Sequence, residues 1–562
     1  MRITLPARPK VPIWPKLPIR PAHTSREPRE PRPARQTNAT PKHAAIVAGL
    51  MAASAALLSW GIVRDLPRLV EADEVATVRR AVVLAATGDL NPRWFGHPGS
   101  TYHYPLAAIV HVAFAARHDG RWLGPDPRVL AEFDAHPEEY VLLGRWLSVL
   151  FAVLALPLVV VVGTLAFGPR IGFAGAWLYA ISPVALGHTV IVRDDTAGVF
   201  FGTLALWLCI RAAHRPTYAR HAAAGAAIGA ATATRYFLAA ILPAFIAADA
   251  VLAWRARKAG APMRSVAARA AAACAAAAAG FAATTPYFVL DFERALHDLR
   301  FEARTVQVGF DGLGRVGNAW WYVSHAIPGA LSWPIVVLAG GGLVVAVRML
   351  RRRQLFLAGF AVVFAAGICL LPLHWQRWLI PILPTIALFA AAAVNEAAAR
   401  VAIAVHRPGR ATERALVLAA VAALSIQPLS GALDVAAHGR RPSTRLEAKA
   451  WLEANLPAGS KVAVEPFTLP LDRERFVVAD DRALSAYGSV AGLRGAGFGY
   501  AVVNETLFEG PARRKAGGED VYGGLEREWM LVRVFRPERL CGFEPATFCG
   551  GPVLKVFALG VR

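Results

Sequence analysis

The chain has 562 residues, 56% of them hydrophobic and only 18% charged, against roughly 25% charged in soluble domains, which makes it an integral membrane protein with some soluble mass. Its formal charge of +22 would suit nucleic acid, but the basic residues are dispersed in short clusters between apolar runs, which excludes that partner in favour of a sided membrane topology. Five cysteines are too few for a disulfide scaffold or a clustered metal site.

Residues 1–42 are rich in Pro and Arg and end at Lys42 without an apolar core, so they are not a signal peptide. They cannot bury enough apolar area to offset their ordering entropy and are expected to form a disordered, basic, cytoplasmic N-terminus. A span needs about 20 apolar residues to cross roughly 30 Å of hydrocarbon. Eleven segments read as spans: 43–63, 145–167, 172–192, 196–213, 222–235, 238–253, 266–286, 330–348, 355–373, 378–397 and 415–431. The short pair 222–235 and 238–253 would be tilted or partly re-entrant. Gly225 and Gly229 form a small-xxx-small pattern suited to close helix packing. Cys209, Cys274 and Cys369 fall in spans and read as small buried hydrophobes.

Short loops carry the orientation signal. Arg170, Arg215 and Arg220, Arg255 to Arg264, Arg348 to Arg353, and Arg400 to Arg414 all fall in alternate connections that hold almost no acid. With the N-terminus inside, eleven crossings put every basic cluster in the cytoplasm. Segments 64–144 and 287–329 and the tail 432–562 then lie outside. Within the first outer segment, Tyr104–Ala116 is apolar but too short to cross, and it reads as an interfacial helix. Val75, Val78 and Val82 oppose Arg79 and Arg80, which suits a second surface helix.

The tail changes character. From Ser443 an amphipathic helix reaches Leu456, a Pro-Ala-Gly turn follows, and Lys461–Glu465, Tyr500–Val503 and Val553–Leu559 read as strands. The expectation is a transmembrane domain over 43–431 followed by an extracytoplasmic α/β domain over 432–562. Cys541 and Cys549 would be bonded if that domain faces an oxidising compartment.

Four polar clusters map to the outer edge of these spans. They are Glu71-Ala72-Asp73-Glu74, Arg193-Asp194-Asp195, Arg235-Tyr236, and His374-Trp375-Gln376-Arg377. Taken singly, each has a plain explanation: solvated loop charges, an interfacial ion pair, a snorkelling arginine, a helix anchor beside Trp375 and Trp378. Trp320-Trp321-Tyr322 likewise reads as interfacial anchoring. Charges at the hydrocarbon edge cost several kcal/mol unless paired or watered, and four on one side point to function. Carboxylates with cations at a membrane surface suit group transfer from a lipid-linked phosphate. The cations neutralise the phosphate, a carboxylate takes the acceptor's proton, and the phosphate leaves as an anion without a general acid. His/Cys metal spacing, a Gly-rich phosphate loop and G-x-S-x-G are all absent from the sequence, which argues against a metalloprotease, a P-loop ATPase and a serine hydrolase.

In order, these motifs resemble the polyprenyl-phosphate-sugar-dependent glycosyltransferases of the GT-C fold, in the lineage of the protein O-mannosyltransferases and aminoarabinose transferases. The likeness rests on the Asp73-Glu74 pair after the first span, the stretch His97 to Pro105 (HPGSTYHYP), and G-R-W-L-S before the second span. It continues with V-R-D-D-T-A-G-V-F-F, the run ending in Arg235-Tyr236, and H-W-Q-R-W-L-I-P from His374 to Pro381. The resemblance implies an α-helical GT-C membrane protein that inverts the sugar and requires no metal or other cofactor. Asp73 would be the base and Glu74 would orient acceptor or sugar. Asp194 or Asp195, with His97 and Tyr102, would serve the acceptor and sugar site. Arg193, Arg235, His374 and Arg377 would hold the lipid phosphate. Arg235 stands where the family usually has Lys, which keeps the charge but changes its geometry. The expected partners are a polyprenyl-phosphate-sugar donor, the bilayer, and an extracytoplasmic glycolipid, polysaccharide or protein acceptor at the plasma (inner) membrane. The alternative class is a membrane transporter or lipid flippase, which would place ionisable groups near mid-bilayer, often with repeated halves; no repeat is found.

Overall fold

The computed structural model describes residues 41–68, 71–118, 124–257, 263–302, 313–349, 352–371, 373–407, 409–466, 468–509, 521–537 and 550–559. Contacts divide the chain into two units, Met1–Ile46 and Val47–Arg562, and the second holds everything that follows. The expected disorder of the N-terminus and the Cys541–Cys549 bond lie outside the described residues.

Each of the eleven expected spans overlaps a helix. Among the described residues, six helices are long and apolar enough to cross a membrane, or up to eight if each of two bent pairs counts as one span; Tyr236–Val251 and Arg353–Cys369 are shorter apolar helices. Leu156, Val159, Leu206, Phe356, Phe360 and Leu388 belong to their shared core. Three of the basic connections lie together: Arg170 Nη1 lies 3.3 Å from Glu413 Oε2, and Arg353 donates to Leu165 O at 2.6 Å. The glycine pattern does what its spacing predicts. A Cβ at Gly225 would collide with Ala273 O and one at Gly229 with Ala277 O, so the helix Tyr218–Thr234 lies backbone to backbone on Met263–Thr284.

Breaks in the helices place the polar clusters. The pair Pro169–Ala180 and Pro183–Thr189 bends by 61°. Pro183 cannot donate an amide hydrogen and drives Ser182 out of helical geometry, and Ser182 Oγ then accepts from Ala185 N. The chain thus leaves its helix before Arg193 and Asp194 and starts a new one at Asp195. Arg235 is extended (φ −143°, ψ 123°) between the helix Tyr218–Thr234 and a short 3-10 turn.

The segment between the first two apolar helices builds its own layer. The expected interfacial helix is Ser100–His118, whose Leu106, Val110 and Phe114 pack on Val78 and Val82 of the helix Ala72–Thr87. At the other end of the chain, the helix Thr444–Asn455 lies on a five-stranded sheet of β1 (Lys461–Val464), β2 (Val477–Ala479), β3 (Tyr500–Asn504), β4 (Met530–Phe535) and β5 (Leu554–Ala558). Its order is β2-β1-β3-β5-β4, parallel among the first three and antiparallel thereafter. The helix, β1, β3 and β5 lie where the apolar pattern of the tail places them. That pattern passes over β2, which is three residues long, and β4, whose Met530 and Leu531 are exposed.

Candidate functional site

Three acids open the helix Ala72–Thr87: Glu71 at its N-cap position, then Asp73 and Glu74 in its first turn. That placement suits the positive end of the helix dipole, but the three side chains part company. Asp73 is about half exposed (51%), with Oδ2 3.0 Å from Arg193 Nη2 and 3.8 Å from Arg377 Nη1. Glu74 is buried. Its Oε1 and Oε2 accept from Arg145 Nε at 2.9 Å and Nη2 at 2.7 Å, and Oε1 also accepts from Val192 N at 2.7 Å. Glu71 turns away, with Oε1 2.7 Å from Arg445 Nη1 of the C-terminal domain and Oε2 3.7 Å from Arg193 Nη2.

Arg193, Arg235 and Arg377 converge from three separate breaks. Arg235 is buried, 2.8 Å from Asp194 Oδ1 and 2.5 Å from Asp195 Oδ1. Arg377 rests over the Trp375 ring at 4.8 Å. These side chains, with Asp73, His97 and Asp194, border an open cleft of about 150 Å³. Arg193 holds the Asp73 carboxyl well below the usual range, at about 2; burial opposes the shift, and Arg377 adds to it. Burial, then the charges of Arg235 and Arg377, keep the His97 imidazole neutral, Asp73 opposing.

The cleft thus gathers six of the ten residues named from the sequence. Asp195 lies just behind it, holding Arg235, whereas Asp194 lines it. Three others do not reach it. Glu74 is committed to Arg145 because its side chain points between the spans, where an unpaired carboxylate would be costly. Tyr102 donates its hydroxyl to Gly144 O at 2.7 Å, with Ser148 Oγ at 2.8 Å, inside the first layer's core. His374 packs on the Trp321 ring at 4.3 Å with Nδ1 3.1 Å from Asn318 Oδ1, bracing the helix Gly314–Trp321.

Arg80, Trp94, His103 and Glu302 also line the cleft and carried no role in the sequence reading. Arg80 was expected on a solvated face with Arg79, yet only Arg79 faces out, to Asp134. His103 sits inside the motif His97 to Pro105 and is visible there. Arg145 had a signal too, as an arginine at the mouth of an apolar span. Four arginines and three acids line the cleft, so it favours an anion, and Arg is the side chain suited to phosphate. Among the described residues no group of three or more His, Cys, Asp or Glu is placed to hold a metal ion.

These features define a multispan helical membrane protein with an arginine–carboxylate cleft at one edge of its spans and a C-terminal α/β domain. Residues 141–290, roughly a quarter of the chain, match the family model described as "Dolichyl-phosphate-mannose-protein mannosyltransferase". That is the lineage the motifs resemble, and the matched stretch contains Arg145, Arg193 to Asp195, and Arg235. No protein of curated function matches the chain in sequence. Similar solved structures include ArnT from Cupriavidus metallidurans in the apo state (16% identity, 91% of this chain and 98% of that chain, TM-score 0.49). Another is the archaeal oligosaccharyltransferase AglB from Archaeoglobus fulgidus in complex with an inhibitory peptide and a dolichol-phosphate (13%, 92% and 74%, 0.48). A third is the arabinofuranosyltransferase AftD from Mycobacteria (15%, 92% and 40%, 0.34).

Proposed function

We propose that the chain is an inverting glycosyltransferase that moves a sugar from a polyprenyl-phosphate donor to an acceptor on the outer side of the membrane. The observation that carries this reading is Asp73, an accessible carboxylate 3.0 Å from Arg193 and 3.8 Å from Arg377 in an open cleft. The motifs and the family match over 141–290 support it. In the transfer, Asp73 takes the proton of the acceptor hydroxyl or amine while the acceptor atom bonds to the anomeric carbon. The bond from that carbon to the phosphate oxygen breaks, and its electron pair leaves on the lipid phosphate. Displacement from the face opposite the phosphate inverts the centre. Arg193, Arg235 and Arg377 stabilise the departing charge, so no acid is needed to protonate it. His97, neutral in the cleft, offers hydrogen bonds without competing for the anion.

A carboxylate that titrates near 2 is a weak base. The donor itself relieves this, because its phosphate draws Arg193 and Arg377 away from Asp73 and raises the basicity of that carboxylate. Asp73→Asn keeps donor binding and lowers transfer by about 10²–10⁴. Mass spectrometry of lipids co-purifying with Asp73→Asn tests the class: a polyprenyl-phosphate sugar is expected. Near-normal turnover by that variant would remove Asp73 from the mechanism, and consistent absence of such a lipid would count against the donor.

A further inference from the structure

Arg445 of the C-terminal domain pairs with Glu71, at the start of the helix that carries Asp73 into the cleft. Arg445 is the second residue of the helix Thr444–Asn455, whose Ala448 and Leu452 pack into the core of the sheet domain. The start of that helix is clamped from both sides. Thr444 N donates to Gly550 O and Thr444 Oγ1 to Pro552 O at 2.7 Å, while Ser443 N donates to Asp65 Oδ1 at 3.3 Å. Arg445 is buried (4%) and places Nη1 2.7 Å from Glu71 Oε1. A ladder of alternating charge follows: Arg445, Glu71, Arg193, Asp73 and Arg377, with successive separations of 2.7, 3.7, 3.0 and 3.8 Å. The other cation beside Glu71 is Arg64, itself 3.6 Å from Asp65.

We propose that Arg445 is a positioning residue by which the C-terminal domain tunes the cleft: it holds Glu71, so that Glu71 does not claim Arg193 and Arg193 stays available to an incoming phosphate. The proposal rests on the lipid-phosphate reading above. Arg193 already faces Asp73 at hydrogen-bonding distance, and a second full carboxylate would satisfy its charge before any anion arrived. Arg445 prevents that by taking the nearer oxygen of Glu71. Burial pushes the Glu71 carboxyl up, but the charges of Arg445 and Arg193 outweigh it and bring it below its usual value. Removing Arg445 therefore leaves a charged Glu71 beside Arg193, 3.7 Å away, with Arg64 also acting on it.

The test uses the full-length protein in nanodiscs, with undecaprenyl phosphate as the titrated ligand. Wild type binds it; Arg445→Met weakens binding about tenfold, within the usual span of coupling between sites. Glu71→Gln binds as well as wild type or more tightly, and Arg445→Met/Glu71→Gln returns to within a few-fold of wild type. A purely packing role for Arg445 predicts instead that removing Glu71 restores nothing, and that result overturns the proposal. Unchanged binding by Arg445→Met overturns it too. If Arg445→Met does not fold, Glu71→Gln alone decides: binding weakened severalfold would mean that Glu71 supports the anion site, against the proposal. Wild type that ignores undecaprenyl phosphate refutes the functional reading itself, which separates the two failures.

Discussion

Arg145→Met is the sharpest probe of how the acidic pair divides its labour. Arg145 gives Nε and Nη2 to Glu74, and Nη1 to the carbonyls of Ile62 and Arg64, both at 2.8 Å. Both side chains of the ion pair are at most 4% exposed. Methionine fills most of the volume but leaves Glu74 with one backbone donor, from Val192, and strands two carbonyls. Breaking a buried pair from one side costs about 3–5 kcal/mol, and the two carbonyls place this case at the upper end. Thermal unfolding in detergent, followed by loss of the monodisperse species, should show a large drop for Arg145→Met. The double variant Arg145→Met/Glu74→Leu should recover most of it, because no lone charge remains. A single variant as stable as wild type would refute the structural role of the pair. So would Glu74→Gln leaving stability untouched while raising the Michaelis constant for a substrate, since that is the signature of the orienting role read from the sequence.

Two further outcomes follow from the titrating groups. If, as proposed, a bound phosphate draws Arg193 and Arg377 from Asp73, the acid limb of kcat should lie at higher pH than that of kcat/KM, which reports the donor-free protein where Asp73 is held near 2; coincident limbs would refute relief by the donor. In the C-terminal domain, burial lifts Glu465 to about 8 against hydrogen bonds from Tyr522 and Leu484 N–H, with Glu509 adding to the rise. A raised carboxyl binds its proton more tightly folded than unfolded, so its contribution is complete below the unfolded value near 4.5 and is lost as pH rises through about 8. The melting temperature of the wild type should therefore fall across that window while that of Glu465→Gln stays flatter, and parallel profiles would show that Glu465 ionises freely.

What could be read from the chain was what local pattern determines. Apolar run length located the helices, and the glycine spacing at 225 and 229 located a backbone contact. The helix Ser100–His118 and the strands β1, β3 and β5 were legible for the same reason. Partner choice was not. Asp73 and Glu74 are neighbours in sequence, but adjacent residues of a helix point about 100° apart, and that angle sends one into the cleft and the other between spans. Arg79 and Arg80 divide in the same way. Arg445 could not have been found at all from its surroundings in sequence, since its partner Glu71 is 374 residues away and only the docking of the C-terminal domain brings them together.

The resting cleft is a set of opposed charges that nearly satisfy one another: Asp73 with Arg193 and Arg377, Asp194 and Asp195 with Arg235. Arg193, Arg235 and Arg377 each already face a carboxylate, so binding of an anion there would be an exchange rather than an addition. Under the proposed function, that exchange links two requirements of the transfer. The phosphate gains cations only as far as the acids release them, and Asp73 becomes a competent base only when it is released. A cleft built from arginines alone would bind the lipid phosphate more tightly but would leave nothing to activate the acceptor. One built from unpaired acids would repel the donor. Alternating the two lets donor binding itself switch on the base, and Arg445, reaching in from the C-terminal domain, sets how far the balance is tipped before the donor arrives.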